Sequence, residues 1–345
     1  MSLRLSVLDQ SPISANATAA DAVEATIKLA RTADAHGYHR FWVAEHHATP
    51  MLAGCAPEVL IGPIARATQR IRVGSGGVML PHYSPFKVAE SFRLLSALAP
   101  GRIDLGLGRA PGTDGLTAFA LQRDRSHRMS DDFTQSLAEL LAYLDDSLPA
   151  DHPFAGLART LPGGGGGSPD PWLLGSSMDS AHWAAEAGLP YCVADFINPH
   201  GAPLAQAYRE RFRPSARLAE PYVMVAVWAL AADSEAEANR LAAPAKMVNH
   251  HFVRGQLIPV PTTEEAVAWL ARNAMNKPPA LPEGRRRRMI RGTPETVREG
   301  IERAAADYRA DEVMLVNIMS DQPARRHGYA LLADAFALAS GRVDA

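Results

Sequence analysis

The sequence predicts an α/β fold, a (β/α)8 TIM barrel, and three observations carry the prediction. Short strand-like runs alternate with helical runs along the whole chain, which implies parallel strands joined by helical crossovers. There are eight such runs, the number at which a parallel sheet closes into a barrel. The strand-like runs end in polar residues, as expected where the working groups of a barrel sit. An open doubly wound sheet is the other architecture the alternation allows.

Residues 3–9 are apolar and β-leaning. Residues 19–36 have helical spacing through Val23, Ile27 and Ala30, and Gly37 stops them. Residues 41–44 form the second strand, and 57–68 a helix with proline at its start. A glycine-interrupted strand at 71–80 precedes a helix at 85–98, and a strand at 103–107 precedes a helix at 131–144. Residues 172–174 are a short strand, followed by a helix at 179–187 that Gly188 ends. The remaining strands are 191–194, 222–230 and 313–318, with helices at 234–247, 294–308 and 325–338. Long connections fall at 110–130 after strand four, at 145–171, and at 248–291 after strand seven, the last with a helical piece at 263–273. The first and last are read as insertions in one domain spanning 1–345. The glycine run from Gly163 to Gly167 reads as a mobile surface tip, because it lacks the lysine of a phosphate-binding loop.

A hydrophobic content of 47% over 345 residues supplies a large core. A net charge of -2 argues against nucleic acid or an anionic membrane as partner. Two cysteines are too few for a disulfide framework. The first ten residues lack a signal-peptide core, and the longest apolar stretch, 223–232, is half a membrane span. These features together suggest a cytoplasmic protein.

The polar strand ends hold the candidate site residues. Strand two ends in Glu45-His46-His47. Strand side chains alternate, so the two histidines face opposite sides and cannot chelate one metal as neighbours. No His-x-x-x-His or Cys-x-x-Cys spacing supports zinc either. A histidine here suits proton transfer or hydrogen-bond donation, or else stitches the loop. Gly74-Ser75-Gly76-Gly77 in strand three leaves bare backbone that a flat ring can approach, unless it marks a bulge or close packing. Arg109 follows Gly108 at the end of strand four, where a fixed cation suits a phosphate or carboxylate, or a salt bridge. Gly175-Ser176-Ser177 runs into a helix, which makes either an anion site or a plain N-cap. Trp42 and Trp228 read as wall or core, and the arginines at 285–288 as a solvated face or an attraction for a phosphorylated cofactor.

Read together, these segments resemble the bacterial luciferase-like flavin monooxygenases. The stretches that carry the likeness are 41–47, 72–81, 100–109, 174–177 and 290–295. The resemblance implies an FMN-dependent monooxygenase that uses reduced FMN and molecular oxygen on a small organic substrate, with a separate flavin reductase as source of the reduced cofactor. It implies that His46 is the catalytic residue, that Ser75, Gly76 and Gly77 lie against the flavin ring, where the family often has a non-prolyl cis peptide, and that Arg109, Gly175, Ser176 and Ser177, with Ser180, hold its phosphate. Light-emitting members have a cysteine where this chain has Gly108, so the likeness is to the non-luminous members. It further implies a homodimer, expected to pack through Ile61, Gly62, Ala65 and Thr68 with Phe86, Ala89 and Phe92. Two alternatives stand beside this reading: hydride transfer with the deazaflavin F420 in the same superfamily, and a flavin-binding protein without turnover.

Overall fold

The structure, a computed structural model, describes residues 3–110, 112–122, 132–162, 167–273 and 289–339. The arginines at 285–288 and residues 163–166 of the glycine run lie outside them. Among the described residues, nine parallel strands form one sheet. The chain lays down β1 (Arg4–Asp9), β2 (Arg40–Val43), β3 (Arg72–Met79), β4 (Ile103–Gly108), β5 (Asp170–Gly175), β6 (Tyr191–Ala194) and β7 (Val223–Ala231) side by side. It then adds β8 (Met289–Gly292) and β9 (Glu312–Val316). β9 pairs with both β7 and β1 and so closes an eight-stranded barrel. The ninth strand, β8, which the sequence did not announce, pairs only with the far end of β7, from Trp228 to Ala231.

Helices cover the outside of the ring. α1 (Ala19–Ala35) starts at a capping box in which the Thr18 hydroxyl accepts the Asp21 N–H and the Asp21 carboxylate accepts the Thr18 N–H. It ends before Gly37, whose φ of 80° a side chain would resist. α2 (Pro57–Ala67), α3 (Pro85–Leu98), α4 (Gly115–Leu121), α5 (Phe133–Asp145), α6 (Met178–Glu186) and α7 (Ala202–Arg211) follow. The helix expected over 234–247 is two, α8 (Glu235–Leu241) and α9 (Ala243–Phe252), with Pro244, which has no N–H to give, in the first turn of the second. α10 (Thr263–Arg272), α11 (Pro294–Tyr308) and α12 (Gln322–Ala335) complete the set.

Strand alternation makes two cores. Leu5, Val7, Phe41 and Val43 face the helices, while Leu8, Trp42, Ala44, Met224 and Met314 fill the barrel interior. The N-terminal end of the barrel is closed by buried charge. Arg40 bridges Asp104 at 2.9 Å and Glu312 at 3.1 Å, and the Trp42 indole donates to Asp104 at 2.9 Å. With the bottom sealed, open space is left at the C-terminal strand ends.

The face expected to pair two copies is out of phase with the structure. Ile61, Ala65, Ala89 and Phe92 point inward and are buried against the barrel. The large apolar side chains that α2 and α3 leave to solvent are Val59, Leu94 and Leu98, at 65%, 62% and 44% exposure.

Candidate active site

A cavity of about 650 Å³ opens at the C-terminal ends of the strands. His46 reaches it because it continues the inward phase of Trp42 and Ala44. Its backbone N–H donates to the Gly54 carbonyl at 2.8 Å, which fixes the loop after β2. Its side-chain Nδ1 is buried with no hydrogen-bond partner. Burial, helped by the neighbouring His47, lowers its pKa to about 4. The imidazole is therefore neutral at pH 7, one nitrogen a donor and the other an acceptor. Proton exchange through an imidazolium, which an ordinary histidine offers near neutrality, is thereby disfavoured. His47 faces away, with Nε2 2.8 Å from Glu45 Oε1.

Gly76 and Gly77 form the floor beside His46, and the peptide between them is cis. Neither glycine is spare. A Cβ on Gly76 would stand 2.6 Å from Leu8 Cδ1, and one on Gly77 2.7 Å from the Gly106 carbonyl oxygen. Close strand packing thus removes the side chains, and bare backbone facing the cavity is the result. Ser75 is not brought to the cavity. It is fully buried, and its hydroxyl donates to the Gly106 carbonyl at 2.9 Å.

The far wall is cationic and polar. Arg109 follows β4, 42% exposed, with its guanidinium 5.0 Å over the Trp183 ring and 3.9 Å from the Asp179 carboxylate. Asp179 and Trp183 both lie on α6. Ser177 caps α6 in a capping box with Ser180, whose hydroxyl also lies 2.9 Å from the Tyr191 hydroxyl. The sequence allowed an anion site or a cap here, and the cap is present. First-turn N–H groups of a helix still lack intrahelical acceptors, so the end of α6 suits an anion. Gly175 and Ser176 complete this wall.

Eight of the nine residues singled out in the sequence therefore line one cavity, Ser180 among them, and Ser75 does not. Trp183 and Gln10 line it as well. Trp183 could have been found, since it lies one helical turn beyond Ser180. Gln10 gave no signal beyond its place at a polar strand end, yet its buried Oε1 has no partner. The inner end is apolar, with Leu8, Ala44, Cys192, Ala226 and Met314. Burial raises the Cys192 thiol far above its ordinary range, so it behaves as an inert small hydrophobe. Of the two connections read as insertions, the described part of 110–130 supplies Ala110 and Gly112, whereas the described part of 248–291 supplies no lining residue.

Residues 3–312 match the family profile of the luciferase-like monooxygenases. The chain belongs to the luciferase-like monooxygenase family. It is 39% identical to the N-acetyl-S-alkylcysteine monooxygenase of Bacillus subtilis, over 96% of this chain and 98% of that one. Among solved structures it resembles apo-MsnO8, at 40% identity and a TM-score of 0.86, over 98% and 99% of the two chains. It shares its fold with the oxygenating constituent of the 3,6-diketocamphane monooxygenase of Pseudomonas putida, solved in complex with FMN, at 20% identity and a TM-score of 0.70 over 98% of each chain. In this luciferase-like barrel Gly108 lines the cavity beside Met79. A Cβ there would stand 2.9 Å from Met79 Cε, so a cysteine would have to displace that side chain.

No helix among the described residues is long and apolar enough to cross a membrane.

Proposed function

We propose that the protein is an FMN-dependent monooxygenase of the cytoplasm, taking reduced FMN from a separate flavin reductase and acting with molecular oxygen on a small organic substrate. The observation that carries this reading is the two-ended cavity. One end offers Arg109 and the start of α6, a donor set that fits a phosphate. The other is apolar and holds the partnerless nitrogen of His46. Between them runs the bare backbone of Gly76 and Gly77. These residues fit FMN: the phosphate at Arg109, Gly175, Ser176 and Ser177, and the ring along the glycines. When bound in reduced form, FMN supplies the electrons that activate oxygen.

The chain's own residues do the rest. Leu8, Ala226 and Met314 keep the inner end dry, which strengthens every polar contact made there. His46, held neutral, donates one hydrogen bond or accepts one at the reacting centre without bringing in a charge. Gln10 offers a second polar contact to whatever enters. Two copies of the chain are proposed to meet through α2 and α3.

A titration series tests the cofactor assignment. FMN, riboflavin and F420 are added separately to the purified protein, and reduced FMN with oxygen is then screened against candidate substrates with mass detection. The reading expects FMN to bind more tightly than riboflavin, and an oxygenated product. Tight binding of F420 with none of FMN would overturn it.

A further inference from the structure

The end of β2 and the turn after β3 hold a cluster that the cavity chemistry does not use. The Glu45 carboxylate has no exposed side-chain surface. Its Oε2 accepts the Met79 N–H at 3.0 Å, and its Oε1 accepts the Tyr83 hydroxyl at 3.1 Å. Among the described residues, its ion-pair partner is the His47 imidazole alone, at 2.8 Å, with no lysine or arginine beside it. A buried carboxylate is ordinarily paired with a full cation or bound to a metal.

A second imidazole converges on the same place. His82, from the turn after β3, sets its ring edge-on to that of His47, with centroids 5.8 Å apart. One ligand atom each from Glu45, His47 and His82 lies within 4.8 Å of the others. Two imidazole nitrogens and one carboxylate oxygen make a donor set that holds zinc and similar ions with a position left for water. Local spacing hides this group, because its second imidazole, that of His82, comes from a different strand end.

We propose that Glu45, His47 and His82 bind one divalent transition-metal ion of the zinc class. The ion takes the place of the proton shared between His47 Nε2 and Glu45 Oε1. Ligand atoms on a tetrahedral ion with bonds of about 2.1 Å stand about 3.4 Å apart, so His82 has to close by roughly an ångström. Met79 and Tyr83 keep their hydrogen bonds and orient the carboxylate from outside. Glu45 and His47 are the residues on either side of His46. The ion therefore clamps the backbone from which His46 reaches the cavity and ties the end of β2 to the turn after β3.

The test uses the full chain, stripped with a chelator and free of flavin, titrated with cobalt and then zinc. Expected are one equivalent of cobalt bound at micromolar concentration with a visible ligand-field band, its displacement by one equivalent of zinc, and a rise in melting temperature with either ion. His82→Gln and His47→Gln are each expected to weaken binding by more than the roughly 10- to 100-fold that loss of an outer-shell partner costs, with circular dichroism confirming the fold. Changing His250 and His251, a separate imidazole pair on α9, to alanine is expected to leave the titration as it was. Absence of one-equivalent binding in the unmodified chain overturns the proposal. So does binding that survives His82→Gln in folded protein, or that vanishes only with the His250 and His251 changes.

Discussion

The guanidinium of Arg109 lies 5.0 Å over the ring of Trp183, so the loop after β4 and the face of α6 meet at one cation. The indole gives the cation a platform, and the proposed phosphate would meet it at the helix start. Arg109→Ala is expected to weaken FMN binding roughly ten- to a hundredfold, the loss of a charge-assisted contact of about 1.5–3 kcal/mol. Riboflavin, which has no phosphate, should bind both proteins equally. Trp183→Leu should cost FMN affinity only a few-fold, from a contact of about 0.5–1 kcal/mol. Fluorescence titration reads all three, and unchanged FMN affinity in Arg109→Ala would show that the arginine serves something else.

His46→Ala is expected to keep FMN binding within a few-fold, since the phosphate contacts lie elsewhere. Oxygenation should fall by about 10²–10³-fold, the loss that follows removal of one hydrogen-bonding group from a reacting centre, with hydrogen peroxide released instead of product. Stopped-flow mixing of the reduced, FMN-loaded variant with oxygen checks this. Wild-type product yield would make His46 structural.

The depressed pKa of His46 also sets an acid sensitivity. The folded value of about 4 lies below the usual 6.5, so the unfolded chain takes up the proton first as pH falls. The stability from this group is complete above 6.5 and drains away as pH falls toward 4. His46→Gln removes that loss. Its denaturant midpoint should drop less than the wild type's between about pH 7.5 and about pH 5. Parallel drops in the two proteins would mean that His46 is not buried neutral.

Ser75→Ala is expected to lower stability by about 1–3 kcal/mol, the cost of leaving a buried acceptor without its donor. FMN affinity should not change. A matched loss of FMN binding and stability in folded protein would return Ser75 to the site.

Leu94→Glu places a charge on the exposed apolar face of α2 and α3. If two copies pair there, sedimentation should show a dimer for the natural chain and a monomer for the variant at micromolar concentration. Dimers in both would move the interface elsewhere.

The fold was legible because its signals are local and repeated. The spacing of Val23, Ile27 and Ala30 marks a helix, Gly37 its end, and Trp42, Ala44 and His46 keep one phase through the end of β2. What escaped depends on neighbours distant in sequence. Ser75 looked like part of a flavin bed because it sits among glycines, but its hydroxyl is fixed by Gly106 across the strand pair. Ile61, Ala65 and Ala89 looked like a docking stripe because small apolar residues suit any close contact, and here the contact is with the barrel. β8 is four residues long and completes no ring, so no count of barrel strands requires it. His47 and His82 lie 35 positions apart and meet only once β2 and β3 are side by side.

The ion network of Arg40, Asp104 and Glu312 makes the barrel a cup and not a tube. A cup imposes an order of traffic. A molecule resting against Leu8 and Met314 has come in past the rim that Arg109 occupies, and it leaves by the same route. Were the proposed flavin anchored at that rim, whatever sits deepest would have to enter before the gate is filled or squeeze past it, and turnover would become a question of queueing as much as of chemistry.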